Sequence, residues 1–242
     1  MLVLVRWVVW LAPVGVFALM LPLGAHGGSG LAGGLGFYIA AYSIASVLFT
    51  LLLYPVVTIL TRIPLRKYAA AALPAQLIAF SSSSSLAALP ALVDEADTTL
   101  RLPKDVTGFV LPLAVTMFKF AAPVSWTFGT LFVAWFYQRD LHAAQYATIA
   151  FASTFLAFAA PGVPRGAFLM LAPLFLAIGL PIEGIGMLIA VDAIPDLFAT
   201  VLNASGDMAA AALVAGSGRT TAIAEAPHAR RGGVQPAADL RV

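Results

Sequence analysis

The sequence predicts an all-α polytopic membrane protein, and its composition, its apolar runs and its lack of barrel patterning all favour that fold class. Of its 242 residues, 61% are hydrophobic and only 10% are charged, whereas about a quarter of a soluble domain is charged. Several apolar stretches reach the roughly 20 residues that a helix needs to cross a bilayer. No run of alternating apolar and polar residues predicts a transmembrane barrel. Without cysteine, disulfides and cysteine-ligated metals are excluded.

Residues 1–67 predict two transmembrane helices. Residues 3–23 and 37–60 are each long enough to span, and the glycine-rich residues 24–36 predict the loop between them. Met1 opens directly onto the apolar run without a small-residue cleavage site, so we interpret this run as a spanning helix rather than a removed signal. The basic residues within 62–67 predict a cytoplasmic loop.

Residues 68–137 predict a re-entrant hairpin followed by a long transmembrane helix. Two short apolar arms, 68–80 and 86–93, flank a pure serine run at 81–85. Neither arm crosses a bilayer alone, so the pair is typical of a hairpin with a polar tip. After a charged loop at 94–105, residues 106–137 form an apolar segment interrupted by Lys119 and Pro123.

The same pattern repeats in residues 138–217. Arms at 146–160 and 167–180 flank a tip at 161–166, and a last helix is predicted at 182–214. One crossing separates the two hairpins, so they enter from opposite faces, which indicates a secondary transporter with a midplane site. Most lysines and arginines fall on the predicted inside, which favours a multi-pass protein of the inner cell membrane with a cytoplasmic C-terminus. The polar residues 218–242 predict a disordered tail.

Polar residues form one stripe along the last helix. At about 100° per residue, one face collects Asp192, Asp196, Thr200, Asn203 and Asp207. Carboxylates within a membrane cost several kcal/mol, so they persist mainly where they face a bundle interior or a wet cavity. The stripe therefore predicts a solute or ion pathway; the alternative is an interhelical hydrogen-bonding face without a ligand.

Short motifs in these segments resemble the dicarboxylate/amino acid:cation symporters, which have the glutamate-transporter fold. The matching stretches are APVGVFA at 12–18, the serine tip, FVLPL at 109–113, GVP at 162–164, VDAIPD at 191–196 and NASGD at 203–207. They correspond to the C-terminal half of that family and cover nearly the whole chain except the tail. The resemblance implies elevator-type symport of a small amino acid or organic acid, a homotrimer when the protein is full length, and no cofactor.

The resemblance also implies which residues contact the substrate. Main-chain groups at the two hairpin tips and side chains of the last helix would hold it: Ser84, Ser85, Gly162, Val163, Asp196, Thr200 and Asn203. The arginine that recognises an acidic side chain in the family falls at Ala199. Aspartate and glutamate are therefore poor candidates unless Arg165, which could instead snorkel to the interface, replaces it.

The cation sites of the family depart from the pattern here. The family signature Asn-Met-Asp-Gly-Thr aligns with residues 118–122, where Phe118 and Phe120 replace the sodium-ligating Asn and Asp. Hard cations need oxygen ligands, and of the family's sodium ligands Asn203 and Asp207 remain. We predict that Lys119 pairs with Asp207 as a tethered cation, in which case coupling would be to protons, through protonation changes of Lys119 or Asp207, or absent. The alternative is a purely structural salt bridge, and the coupling ion, proton or sodium, is left open.

Two other function classes are alternatives to transport. An intramembrane aspartyl protease needs acids on different helices, but the intramembrane acids of this chain lie on one, so no enzyme is predicted. A transport-incompetent fragment or an accessory membrane subunit remains the alternative, because the match begins partway into the family. No metal site and no nucleic-acid partner are predicted; the expected partners are a small amino acid or carboxylate and the lipid bilayer.

Overall fold

The computed structural model describes residues 2–159 and 166–225, and throughout this part the chain is helical, without a strand. The all-α prediction is confirmed. The α-helices in chain order are α1 (Leu2–Thr61), α2 (Leu65–Ser82), α3 (Ser85–Thr98), α4 (Leu111–Met117), α5 (Ala121–Phe136), α6 (Ala143–Leu156), α7 (Leu171–Ile178), α8 (Glu183–Val191) and α9 (Pro195–Glu225). A π-helical turn at Val106–Val110 precedes α4, and 3₁₀ turns occupy Ala157–Ala159 and Gly166–Met170.

Three stretches of the described residues are long and apolar enough to cross a membrane. They are Ala32–Thr61, Val106–Phe136 and Pro195–Gly216. These coincide with the second, third and last of the four predicted crossings. The first predicted crossing, residues 3–23, lies in the N-terminal part of α1. The chain is thus built as a multi-pass membrane protein.

Helix α1 differs from the prediction for residues 1–67. We predicted a loop at residues 24–36, but the structure has one continuous helix from Leu2 to Thr61. Glycine in a helix interior costs only about 1 kcal/mol relative to alanine, and in an apolar surrounding the helix satisfies its own backbone groups. A short glycine-rich segment between long apolar runs can therefore stay helical.

The first hairpin forms as predicted from α2 and α3. Ser83 lies between them in the left-handed region, with φ of 49°. Ser84 is extended and caps α3, its hydroxyl accepting a hydrogen bond from the backbone N–H of Ala87 at 3.3 Å. The serine run therefore reverses the chain because serine favours caps and turns over helix interiors. Helix α3 continues to Thr98, so the charged loop begins later than residue 94.

The long helix predicted at 106–137 is broken where the sequence indicated an interruption. Phe118 is extended (φ −105°, ψ 120°), and α5 begins at Ala121. A continuous helix would place Pro123 in its interior, where the ring clashes with the carbonyl of residue 119 and the missing N–H leaves that carbonyl unbonded. Restarting at Ala121 puts Pro123 in the first turn, where proline is tolerated.

The base of the second hairpin is closed by a side chain of α6. The Nε2 of Gln145 donates a hydrogen bond to the carbonyl of Ile178 at 3.0 Å, which joins the start of α6 to the end of α7. Helix α7 ends at Gly179, whose φ of 75° favours glycine, and Leu180 N–H bonds back to the Phe175 carbonyl. The arms of this hairpin were predicted; most of its tip lies outside the described residues.

The last predicted helix, residues 182–214, is two helices in the structure. Helices α8 and α9 are separated by a turn at residues 192–194. Pro195 disfavours helical backbone at the residue before it and is suited to the first position of a new helix. Helix α9 continues to Glu225, whereas the polar tail was predicted to begin at 218; residues after 225 lie outside the described part.

Buried apolar side chains in the described residues form two clusters. In the second-hairpin cluster, α5, α6, α7, α8 and the start of α9 pack against part of α1 around Trp126, Phe175 and Leu188. In the first-hairpin cluster, α2, α3, α4 and the middle of α9 pack around Tyr68, Leu92 and Met208. Each cluster is named after the hairpin that contributes to it.

A buried polar contact fixes the first hairpin to α9. The Nε2 of Gln76 on α2 donates to the Ser205 hydroxyl at 2.8 Å, and the Tyr54 hydroxyl of α1 donates to the Gln76 Oε1 at 3.0 Å. Nearby, the Tyr68 hydroxyl donates to the Ser205 carbonyl at 3.1 Å. Three helices thus share one hydrogen-bonded group in their apolar contact.

We expect Gln76→Leu to lower the free energy of unfolding by about 1 kcal/mol, because it leaves the buried Ser205 hydroxyl and the half-buried Tyr54 hydroxyl without this partner. Chemical unfolding of the purified chain in detergent measures the effect. Tyr54→Phe should cost less once Gln76 is already leucine, since the two residues share a hydrogen bond. Fully additive losses would show that this contact does not contribute.

Candidate functional site

A cavity of about 460 Å³ lies where the two clusters meet. Its wall combines the serine tip, the broken segment between α4 and α5, the α8–α9 turn and the first turns of α9. Of the residues predicted from the sequence, it is lined by Ser84, Ser85, Lys119, Asp192, Asp196, Thr200 and Asn203. The structure therefore brings together one hairpin tip, most of the polar stripe and the intramembrane lysine.

The serine tip presents the N-terminal end of α3 to this cavity. Residues 82–85 all line it, and Ser85 is buried while Ser84 is half-buried. The first backbone N–H groups of a helix lack intrahelical partners and carry partial positive charge. This end of the cavity is suited to a carboxylate.

The first two turns of α9 supply the polar wall opposite. The Thr200 hydroxyl donates to the Asp196 carbonyl at 2.7 Å, which leaves its oxygen able to accept a bond from the cavity. The Oδ1 of Asn203 accepts the Ala121 N–H at 2.9 Å, so its amide NH₂ remains a donor. Asp196 is half-buried and provides the carboxylate of this wall.

Lys119 enters the cavity from the break between α4 and α5. Its ammonium donates a hydrogen bond to the Val115 carbonyl at 2.9 Å, within the last turn of α4. The charges of Asp207 and Asp196 both act on it. The predicted direct pair with Asp207 is not formed, because the long lysine stem folds back onto the last turn of α4 instead.

Asp207 lies deeper than the rest of the stripe. Its side chain is completely buried, and neither carboxylate oxygen has a hydrogen-bond partner within the described residues. An ionised carboxylate in such a place costs several kcal/mol unless a cation compensates it. Asp207 is therefore the least satisfied polar group beside the site.

Two contacts hold the broken segment against α9 next to Asp207. One is the hydrogen bond from Ala121 N–H to Asn203. The other is the packing of the Phe120 ring on Gly206, where an added Cβ would overlap the ring and lie 2.8 Å from its Cε2. Lys119 directly precedes the two residues that make these contacts.

Several cavity residues were not predicted from the sequence. They are Tyr42, Thr116, Ser125, Trp126 and Phe168. Tyr42 belongs to a row of buried hydroxyls on α1 at four-residue spacing, comprising Tyr38, Tyr42, Ser46 and Thr50. That spacing was a usable signal, since hydroxyls repeated on one face of a spanning helix indicate a buried contact. Tyr42 and Ser125 lie beside Asp192 at this end.

Three predicted site residues cannot be placed. Gly162, Val163 and Arg165 belong to the tip of the second hairpin and lie outside the described residues. The turn that follows the tip borders the cavity, because Ala167 and Phe168 line it. Their proposed roles remain predictions.

The arrangement of two hairpins, a broken helix and a polar α9 agrees with a comparison against family models. Residues 1–217 match the model of the Sodium:dicarboxylate symporter family. The chain belongs to this family. The resemblance found in the sequence is confirmed, and the family, as its name states, consists of transporters and not enzymes.

Individual members of the symporter family are also similar to this chain. Neutral amino acid transporter B(0) of Homo sapiens is 30% identical over 221 residues, which cover 88% of this chain and 40% of that protein. Neutral amino acid transporter A of Homo sapiens is 30% identical over 223 residues, covering 88% and 41%. The B(0) transporter of Oryctolagus cuniculus is 30% identical over 216 residues, covering 88% and 40%. The chain thus spans about two fifths of the length of the curated relatives it matches.

Proposed function

We propose that this chain carries the substrate site of a secondary transporter for small neutral amino acids. The observation that carries the proposal is the single cavity lined by the serine tip, Asp196, Thr200 and Asn203. A volume of about 460 Å³ lies within the range of small-molecule sites. The named relatives, which are neutral amino acid transporters, support the same substrate class.

The polar groups of the cavity match the two charges of an amino acid. The backbone N–H groups at the start of α3, by Ser84 and Ser85, would bind the carboxylate. Asp196 would bind the ammonium, and the Asn203 amide and the Thr200 hydroxyl would complete the hydrogen bonds. Burying both charges with partners is needed because an unpaired charge in the cavity would prevent binding.

The remaining wall favours an uncharged side chain. Ala199 is 4% exposed and lines the cavity with Ala122, Trp126 and Phe168. None of the described cavity residues is an arginine, so no planar guanidinium is available to grip a second carboxylate bidentately. Transport would follow elevator-type movement of the core, with the second hairpin as the outer gate.

Uptake into proteoliposomes tests the proposal. The full chain would be reconstituted and offered radiolabelled alanine, serine, aspartate and glutamate, with sodium and proton gradients imposed separately. We expect uptake of alanine or serine that exceeds uptake of aspartate and glutamate. Amino acid binding without uptake would favour the alternative, an accessory subunit or transport-incompetent fragment, which the coverage of two fifths motivates. Preference for aspartate would contradict the assigned substrate class.

We expect Ala199→Arg to reverse the substrate preference. The new guanidinium would project into the cavity, where it can pair with a side-chain carboxylate and fill the space of a neutral side chain. Affinity for aspartate should rise and affinity for alanine should fall, each by about tenfold, which corresponds to about 1.4 kcal/mol. Competition binding in detergent measures both. Ala143→Arg, exposed at the start of α6 and outside the cavity lining, serves as the control.

A further inference from the structure

The name of the family implies sodium, but the residues around Asp207 do not fit that ion. The side chains of Phe118 and Phe120 offer no oxygen, and sodium requires a shell of oxygen ligands. The carbonyls at the end of α4 are already bonded: Ala114 accepts the Phe118 N–H at 2.8 Å, and Val115 accepts the Lys119 ammonium at 2.9 Å. The oxygen of Asn203 is engaged by Ala121.

The same segment delivers a cation of its own. The bond from Ala121 to Asn203 and the packing of Phe120 on Gly206 hold the two residues that directly follow Lys119 against α9. The ammonium of Lys119 is half-buried, and Asp207 and Asp196 are the acidic groups whose charges act on it. Asp207 itself is fully buried with both oxygens unbonded. A cation and an uncompensated anion thus share one apolar region.

We propose that the Lys119 ammonium is the built-in counter-cation of Asp207, so that amino acid binding by this chain needs no sodium. The lysine stem has four rotatable bonds, and exchanging the Val115 carbonyl for the Asp207 carboxylate requires only rotation about them. The proposal rests on the proposed amino acid site, because Lys119 lines the same cavity. The loss of the family's oxygen ligands would thus be accompanied by the loss of the sodium requirement.

Charge neutralisation at residues 119 and 207 provides the test. Lys119→Met removes the cation and leaves Asp207 alone, Asp207→Asn removes the anion, and the double variant removes both while keeping similar side-chain volumes. We expect Lys119→Met to lower the melting temperature and weaken alanine binding by about tenfold or more. The double variant should regain most of both losses. Lys67→Met is the matched control, since Lys67 is exposed in the first turn of α2 and does not line the cavity.

Sodium dependence provides the second measurement. The melting temperature and the alanine Kd of the unaltered chain would be measured in sodium chloride and in choline chloride at equal ionic strength. We expect no difference between the two salts. A melting temperature or an alanine affinity that rises specifically with sodium would overturn the proposal, as would a double variant no better than Lys119→Met.

The two readouts separate this inference from the proposed function. If no neutral amino acid binds, the proposed function fails, while the melting temperatures of the four proteins still report whether residues 119 and 207 compensate each other. If Lys119→Met does not fold, Lys119→Arg keeps the charge and should retain sodium-independent stability. Loss of folding in Lys119→Met together with a stable Asp207→Asn, Lys119→Met double variant would support the pairing directly.

Discussion

Replacing Asp196 with asparagine is expected to weaken alanine binding by at least about 30-fold, because losing one partner of a desolvated charge pair costs roughly 2–5 kcal/mol. The carboxylate lies on the wall of the cavity, half-buried and one turn from Thr200. Asparagine keeps the size of the side chain and removes its charge. Isothermal titration or scintillation-proximity binding on the purified chain measures the change in Kd.

Asp140→Asn is the matched control for Asp196→Asn, since Asp140 is exposed between α5 and α6. We expect the control to bind alanine with an affinity within about twofold of the unaltered chain. A melting temperature measured on both variants separates lost binding from lost folding. Unchanged alanine affinity in Asp196→Asn would exclude Asp196 as the ammonium partner.

Gly206→Ala is expected to cost about 1–3 kcal/mol of stability, although alanine is normally the better helix former. The added methyl would overlap the Phe120 ring, and the backbone of α9 is held by its own hydrogen bonds. The ring must therefore move, which disturbs the segment that carries Lys119. Equilibrium unfolding in detergent measures the loss, and alanine binding should weaken with it.

Gly108→Ala is the matched control for Gly206→Ala, because nothing lies within 4 Å of a Cβ at that position. It should leave stability unchanged or slightly higher. Combining Gly206→Ala with Phe120→Ala should recover part of the loss, since the smaller side chain makes room for the methyl group. If Gly206→Ala is as stable as Gly108→Ala, the close packing of Phe120 on α9 is not maintained in solution.

The sequence predicted the elements whose determinants are local. A serine run between two short apolar arms reverses the chain at Ser83 and Ser84, as predicted. The interruption at Lys119 and Pro123 also appears, since proline excludes a continuous helix there. Asp196, Thr200 and Asn203 line one cavity because helical spacing along α9 places them on one face, and Asp192 lines the same cavity from the turn before α9.

Other features depended on information that local patterns do not contain. The glycine-rich residues 24–36 stay helical, because a modest glycine penalty competes with long apolar runs on both sides. Pro195 indicates a helix break at residues 192–194, but the continuous apolar pattern around it favours one unbroken helix. The predicted contact between Lys119 and Asp207 is not formed, because the flexible lysine stem reaches several acceptors and its ammonium binds the Val115 carbonyl, a choice that sequence spacing does not determine.

The division of the apolar interior into two clusters has a consequence for how a ligand is held and released. The cavity lies at the boundary between the two clusters, so a bound ligand would contact side chains of both. Because α1 and α9 contribute side chains to both clusters, a shift of either helix would move both sides of the cavity together. The residence time of a ligand would then depend also on side chains at this boundary that do not contact the ligand.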